Sequence, residues 1–306
     1  MIDRFLTYIE VERRYSPLTV RNYRHDIELF AKWWQQRHDQ PHFDVAEVSS
    51  DDIREWIVMR GESTSHKASS INRELSSLRS FMRYMRKIGV INKDTFRYIT
   101  SLRTSRTLPN FVPESRMQTV LENIRHESHQ GTWEEQRRGL IVAILYGCGL
   151  RLAELCSLRT SSIDNGTIRV VGKGNKERIV PLLPELAERI DRYIASVREA
   201  GVTKEEEFPL ILSKRGGVLS RSTIQRIVAA ELGEASVQGK RSPHVLRHTF
   251  ATHLLNRSAD MRDIQELMGH SSLNTTQHYT HNNIAGLQRV YAQAHPHSRS
   301  NGADSQ

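Results

Sequence analysis

P-H-V-L-R-H-T-F-A-T-H-L-L-N at 243–256 and M-G-H-S-S-L-N-T-T-Q-H-Y-T-H at 268–281 bring His244, Arg247, His270 and Tyr279 into one short stretch. Two imidazoles, a guanidinium and a phenol suit attack on a phosphodiester by tyrosine, with arginine holding the charge. No H-E-x-x-H accompanies them. His244 and His248 stand four apart, a spacing that can bind zinc, but no carboxylate ligand is evident beside them, so no metal is expected.

Working outward, Gly147-Cys-Gly149 is a tight turn that delivers Arg151 to the start of a short helix, R-L-A-E-L-C-S-L. Residues 167–182, T-I-R-V-V-G-K-G-N-K-E-R-I-V-P-L, read as a hairpin with Lys173 at its tip. Arg151 and Arg247 can clamp the non-bridging phosphate oxygens bidentately. A free tyrosine titrates near 10. Nearby arginines lower that value, and His244 is the first choice of base. His270 then bonds the phosphate or orients Tyr279, and Lys173 protonates the 5′ leaving oxygen. With charge neutralised by side chains the chemistry needs neither Mg²⁺ nor ATP, and no cofactor is expected. Each residue alone has a plainer reading. Tyr279 alone reads as a core aromatic, Arg151 as a helix-end ion pair and Lys173 as a solvated turn lysine. The joint occurrence carries the argument.

The remaining elements surround this region. The 306 residues suit two domains, and the net charge of +9 implies a polyanionic partner. The surplus is +5 over residues 1–110 and +4 over the remainder, so DNA contact is expected on both halves. Cys148 and Cys156 are eight apart with no C-x-x-C, which points to two buried thiols in a reducing compartment. The start M-I-D-R-F-L-T-Y has no apolar signal core, and the longest apolar run, L-I-V-A-I-L-Y at 140–146, is too short to span a membrane. A cytoplasmic protein without a membrane partner is expected.

The expected fold is mainly α. Residues 1–100 form a helical DNA-binding bundle, 101–113 a linker broken by Pro109 and Pro113, and 114–294 a catalytic domain. That domain is mostly helical with a small antiparallel sheet, and 295–306 form a disordered tail. Helices are expected at 1–13, from Pro17 to about 37, from the Ser49–Asp52 capping box to about 59, and at 66–88. In the second half they are expected at 114–126, from the Thr132–Glu135 capping box to Gly147, and at 184–199, 221–232, 243–256, 260–268 and 283–293, with a possible strand at 208–213. In the fourth helix Ile71, Leu75, Leu78, Met82 and Met85 form the apolar stripe. Off the stripe, Lys67, Arg73, Arg79, Arg83, Arg86 and Lys87 are candidate phosphate contacts, or a solvated face.

Four blocks in order, G-C-G-L-R-L-A-E-L (147–155), V-V-G-K-G-N-K-E-R-I-V-P-L (170–182), H-V-L-R-H-T-F-A-T-H (244–253) and G-H-S-S-L-N-T-T-Q-H-Y-T-H (269–281), closely resemble the tyrosine recombinase (phage integrase) family. Arg151, Lys173, His244, Arg247, His270 and Tyr279 fall on that family's six active-site positions. Y-S-P-L-T-V-R-N-Y-R-H-D-I at 15–27 resembles the core-site-binding domain of its simple bacterial members. The size and Q-R-V-Y-A-Q-A-H-P at 288–296 are most similar to the Xer branch, XerC type. Asn92-Lys93 departs from the Asn-Pro often found in the family.

The resemblance implies a clamp around a double-stranded core site of two inverted half-sites. It implies a 3′-phosphotyrosine intermediate, a Holliday junction, and a heterotetramer with a second related recombinase. For the Xer branch it further implies an FtsK-type DNA translocase and resolution of chromosome dimers at cell division. A mobile-element integrase with the same chemistry, a type IB topoisomerase-like enzyme and a DNA-binding module without catalysis are the rival readings.

Overall fold

The computed structural model describes residues 1–62, 67–104, 110–128, 131–172, 176–233, 235 and 241–269. It divides into two compact units, one ending at Thr107 and the other beginning at Leu108.

The first unit is a helical bundle. Helix α1 (Ile2–Thr7) runs into a wider turn at Tyr8–Glu12, so the expected continuous helix over 1–13 loosens in its second half. Helix α2 (Pro17–His38) starts at Ser16, whose hydroxyl accepts the Thr19 N–H. Proline at the first helical position costs no hydrogen bond there. Ile27, Phe30 and Trp34 point inward from α2, with Tyr23 half-buried. Helix α3 (Ser50–Glu62) starts with the expected reciprocal cap: Ser49 Oγ accepts the Asp52 N–H and Asp52 Oδ2 accepts the Ser49 N–H. Helix α4 (Ala68–Lys87) buries all five residues of its apolar stripe.

Besides Asp52 of the α3 cap, two buried carboxylates of this bundle are each tied to an arginine. Asp26 is fully buried and accepts from Arg73 and the Ser77 hydroxyl. Glu74, 3% exposed, takes the fork of Arg60 at 2.9 and 2.5 Å.

In the second unit, α5 (Glu114–Ser128), α6 (Trp133–Gly147) and α7 (Leu152–Ser157) precede strands β1 (Ile163–Asp164), β2 (Thr167–Val171) and β3 (Glu177–Pro181). Helices α8 (Pro184–Glu199), α9 (Arg221–Leu232), α10 (Pro243–Asn256) and α11 (Met261–Met268) follow. The sheet is antiparallel in the order β1-β2-β3. The Thr132–Glu135 capping box opens α6. The run 140–146 is buried throughout, which places α6 at the centre of the core. Among the described residues no helix is long and apolar enough to cross a membrane.

Two details differ from expectation. Residues 208–213 form no strand; Arg159 pairs singly with Pro209 and Leu212 with Val218. Pro209 has no N–H for a ladder, and Phe208, Leu210, Ile211 and Leu212 are all buried, so the run packs as core instead of alternating. Of the two cysteines only Cys148 is fully buried, and burial pushes its thiol up to about 12. Cys156 is half-buried, because α7 turns Glu154 and Leu155 inward and leaves it nearer the rim.

The stretch expected to be a plain linker is anchored at both described ends. Asn72 exchanges two hydrogen bonds with the Leu102 backbone in the first unit. In the second, Val112 N–H donates to Thr249 Oγ1 and Val112 O meets His253 Nε2, both at 2.9 Å. The helix expected over 283–293 and the tail lie outside the described residues.

Arg60→Ala would strand the Glu74 carboxylate without its cation, and the expected loss is about 3 kcal/mol of unfolding free energy. Urea denaturation of the full chain measures it. A midpoint equal to wild type would mean that Arg60 is dispensable to the bundle.

Candidate active site

The second unit brings three guanidiniums onto one carboxylate. Glu154 sits one turn into α7 and is 3% exposed. Its oxygens accept from Arg151 at 2.8 Å and from both ends of the Arg178 fork at 3.0 and 2.8 Å. The Arg151 backbone N–H adds a bond of 2.9 Å, and Arg247 Nη1 lies 3.8 Å from Glu154 Oε2. Three cations against one anion leave a local surplus of positive charge. Arg151 reaches furthest out, with 39% of its side chain exposed, while Arg178 and Arg247 stay buried.

Burial pushes the Glu154 carboxyl up. The hydrogen bonds and charge of Arg178, joined by those of Arg151, outweigh burial and hold the carboxyl at about 2. Arg247 is pushed down to about 10, first by burial and then by repulsion from Arg151, with Glu154 opposing. It remains charged at neutral pH.

Local sequence explains how these groups meet. Gly149 has a φ of +59°, and a Cβ there would stand 2.5 Å from the Phe250 ring. Glycine alone fits this turn, which leads the chain from α6 to Arg151 at the mouth of α7. The Gly149 carbonyl accepts a bond from Arg247 Nη1. Arg247 Nη2 reaches Met268 O at 2.5 Å, and Arg178 Nε reaches Leu267 O at 2.9 Å. The last carbonyls of α11 are therefore held by the same arginines that meet Glu154. A Cβ on Gly269 would fall 3.2 Å from Arg178, so the backbone passes tightly over that side chain immediately before residue 270.

Of the six sequence-predicted catalytic residues, Arg151, His244 and Arg247 lie in the described part. Lys173, His270 and Tyr279 lie outside it. Arg151 and Arg247 converge. His244 is exposed on the first turn of α10. Arg247 lies three residues further on, about 60° short of a full turn; His244 is exposed while Arg247 is buried in the cluster. The β2–β3 ladder closes with Gly172 N–H on Lys176 O at 2.8 Å, directly before Lys173.

Sequence reasoning missed Glu154 and Arg178. Glu154 follows Arg151 by three, which reads as an ordinary helix-start carboxylate. Arg178 was more legible, because period-two alternation in β3 puts it on the same buried face as Val180. His253 was also missed. Its Nε2–H donates to Val112 O and its Nδ1 accepts from the buried Tyr146 hydroxyl at 2.9 Å. His248, by contrast, is half-buried.

The six candidate DNA contacts of the first unit divide by partner. Arg73 is engaged by Asp26, and Arg86 by Asp94 at 2.7 Å. Arg79 donates to Ile99 O and Lys87 lies over the Tyr8 ring. Lys67 and Arg83 are exposed.

Residues 112–285 match the phage integrase family, and residues 2–89 match its N-terminal SAM-like domain. The chain is 36% identical over 303 residues to the tyrosine recombinase XerC of Pelobacter propionicus, covering 97% of this chain and 96% of that one. It is 35% identical over 305 residues to XerC of Oceanobacillus iheyensis, covering 98% and 97%. Among solved structures, XerH recombinase bound to a palindromic difH substrate after cleavage matches with TM-score 0.69 and 21% identity, over 95% of this chain and 84% of that one. The Tn1549 transposon integrase with transposon right end DNA matches with TM-score 0.67 and 20% identity, over 94% and 98%. At those identities the two structures speak for the fold.

Two measurements test the site's framework. Burial lowers the His253 pKa below the ordinary 6.5. The unfolded chain therefore takes up a proton first as pH falls, so stability is full above 6.5 and declines below it. His253→Gln should flatten the decline of the urea midpoint between pH 7 and 5.5; an unchanged slope would remove His253 as its source. Arg178→Lys keeps the charge but not the fork, and should cost about 2–3 kcal/mol of stability at pH 7. Wild-type stability in that variant would mean that the network does not depend on Arg178.

Proposed function

The chain belongs to the phage integrase family and is a tyrosine recombinase, and from that membership we propose that it exchanges strands at a specific DNA site through a 3′-phosphotyrosine on Tyr279. The observation that carries the reading is the meeting of Arg151 and Arg247 at Glu154, with backbone bonds from the arginines reaching the residues just before His270.

In this reading a phosphodiester approaches the exposed side of the arginine cluster. Arg151 and Arg247 neutralise its non-bridging oxygens and the extra charge of the transition state. Glu154 keeps the two guanidiniums at fixed spacing where their repulsion would otherwise drive them apart. His244, on the solvent-facing side of α10, takes the phenolic proton of Tyr279 as its oxygen bonds to phosphorus. His270 bonds the phosphate or orients the phenol. The phosphorus–oxygen bond to the 5′ oxygen breaks, and Lys173 gives that oxygen a proton. A different 5′-hydroxyl then reverses the sequence, releases Tyr279 and reseals the strand. The bond energy is kept in the phosphotyrosine, so no ATP is consumed.

The two units would share the core site, with Lys67, Arg79, Arg83, Arg86 and Lys87 as backbone contacts of the first. Arg73 and Arg86 contribute less, since Asp26 and Asp94 already engage them. Similarity to relatives named tyrosine recombinase XerC supports the Xer branch of this reading. On that branch the role is chromosome dimer resolution at cell division in the cytoplasm, with a second related recombinase completing a heterotetramer and an FtsK-type translocase as a further partner.

The test is a nicked suicide duplex carrying the host's chromosome-terminus site. Wild type should give a denaturation-resistant protein–DNA adduct that maps to Tyr279, while Tyr279→Phe binds the duplex and gives none. An adduct only on a mobile-element end would keep the chemistry and move the role to integration. No adduct on any specifically bound site would overturn the reading.

A further inference from the structure

Arg178 lies on the buried face of β3, opposite Val170 in the ladder with β2. Besides Glu154 it touches two backbone segments, and each leads directly into a residue of the predicted catalytic set.

The first segment is the end of α11. Gly269 caps that helix in the left-handed region, and its N–H returns to Glu266 O. The last carbonyls of a helix have no partner within it. Here Leu267 O takes Arg178 Nε at 2.9 Å, and Met268 O takes Arg247 Nη2 at 2.5 Å. Leu267 is buried, so the guanidinium stands where water cannot. A cation at a helix C-terminus also meets the helix dipole favourably. A Cβ on Gly269 would fall 3.2 Å from both Cδ and Nη1 of Arg178. The chain therefore leaves α11 against the Arg178 side chain, and the next residue is His270.

The second segment is the end of β2. Gly172 N–H bonds Lys176 O at 2.8 Å. A Cβ on Gly172 would lie 3.7 Å from Glu154 Oε1 and 3.8 Å from Arg178 Nη1, so the backbone there runs beside the Glu154–Arg178 pair. The next residue is Lys173. One planar guanidinium thus serves both segments: Nη1 and Nη2 hold Glu154 at 3.0 and 2.8 Å, which leaves Nε for Leu267 O. A lysine offers a point charge in place of this fork and cannot hold both partners in the same geometry.

We propose that Arg178 is a positioning residue for the cleavage step, fixing the end of α11 that leads into His270 and, through Glu154, the end of β2 that leads into Lys173. The inference rests on the phosphotyrosine reading above, in which His270 serves the phosphate or the phenol and Lys173 the leaving oxygen. It adds that these two groups are set together by one buried side chain that does not touch the DNA.

The test measures single-turnover cleavage of the nicked duplex at saturating DNA, at a temperature where circular dichroism shows every protein folded. Arg178→Lys should bind the duplex as wild type does and cleave it about 100-fold more slowly, the size of a misplaced catalytic group. Its effect is then measured where one positioned group no longer matters. In a His270→Ala background the loss caused by Arg178→Lys should shrink to about tenfold, because residues acting through one another are not additive. On a duplex whose 5′ leaving oxygen is replaced by sulfur, which needs no proton, it should likewise shrink to about tenfold. Gly269→Ala presses on Arg178 from the α11 side alone and supplies the same comparison should Arg178→Lys not fold. Its loss should shrink with His270→Ala and persist on the sulfur substrate. A loss that is the same in every background and on both substrates would be purely structural and would overturn the proposal, as would wild-type cleavage by Arg178→Lys. A loss that shrinks in only one of the two arms overturns the joint role. Failure of the recombinase reading would appear separately, as the absence of a Tyr279 adduct in wild type.

Discussion

Glu154 holds together groups that would not otherwise stay together. Arg151, Arg178 and Arg247 come from α7, β3 and α10, elements far apart in the chain. Like charges brought that close repel, and burial adds a desolvation cost to Arg178 and Arg247. One carboxylate with bonds from Arg151 and Arg178, and 3.8 Å from Arg247, offsets much of that cost. It does not cancel the charge. The residual surplus is what a phosphodiester would meet at the exposed end of Arg151.

The same arginines join the surrounding backbone. Through Gly149 O, Leu267 O and Met268 O they link the turn after α6 to the end of α11. This makes the arginine positions depend on backbone geometry as much as on their own rotamers. Gly149 and Gly269 then become requirements of packing: at each the backbone has positive φ, and at each a Cβ would press on a neighbouring side chain. Arg178 acts through others, since it is buried and spends its donors on Glu154 and Leu267 O.

The two units handle buried charge in similar ways. In the first, Asp26 and Glu74 are buried carboxylates with Arg73 and Arg60 as partners. Part of the basic face expected to meet DNA is thus used to hold the bundle together. Of the cations left over, Lys67 stands before the start of α4 and Arg83 in its C-terminal half.

Much of this protein was legible in the amino-acid order because it is local. Ser16-Pro17, Ser49–Asp52 and Thr132–Glu135 start helices with contacts spanning three residues, and the α4 stripe follows from a period of 3.6. The motif residues Arg151 and Arg247 were legible as candidates for one site from their chemistry, and the fold brings both to Glu154. Period alone could not say that 208–213 would pack as core, since a short apolar run reads alike as strand or buried coil. Nor could it show that α10 sends His244 to solvent and Arg247 inward. Sequence by itself determined the helices, the small sheet and the residue types of the site. Tertiary structure decided which charge meets which: Glu154 with three arginines, and His253 between Tyr146 and Val112. Those pairings join residues up to 141 positions apart, and only the folded chain brings them within hydrogen-bond reach.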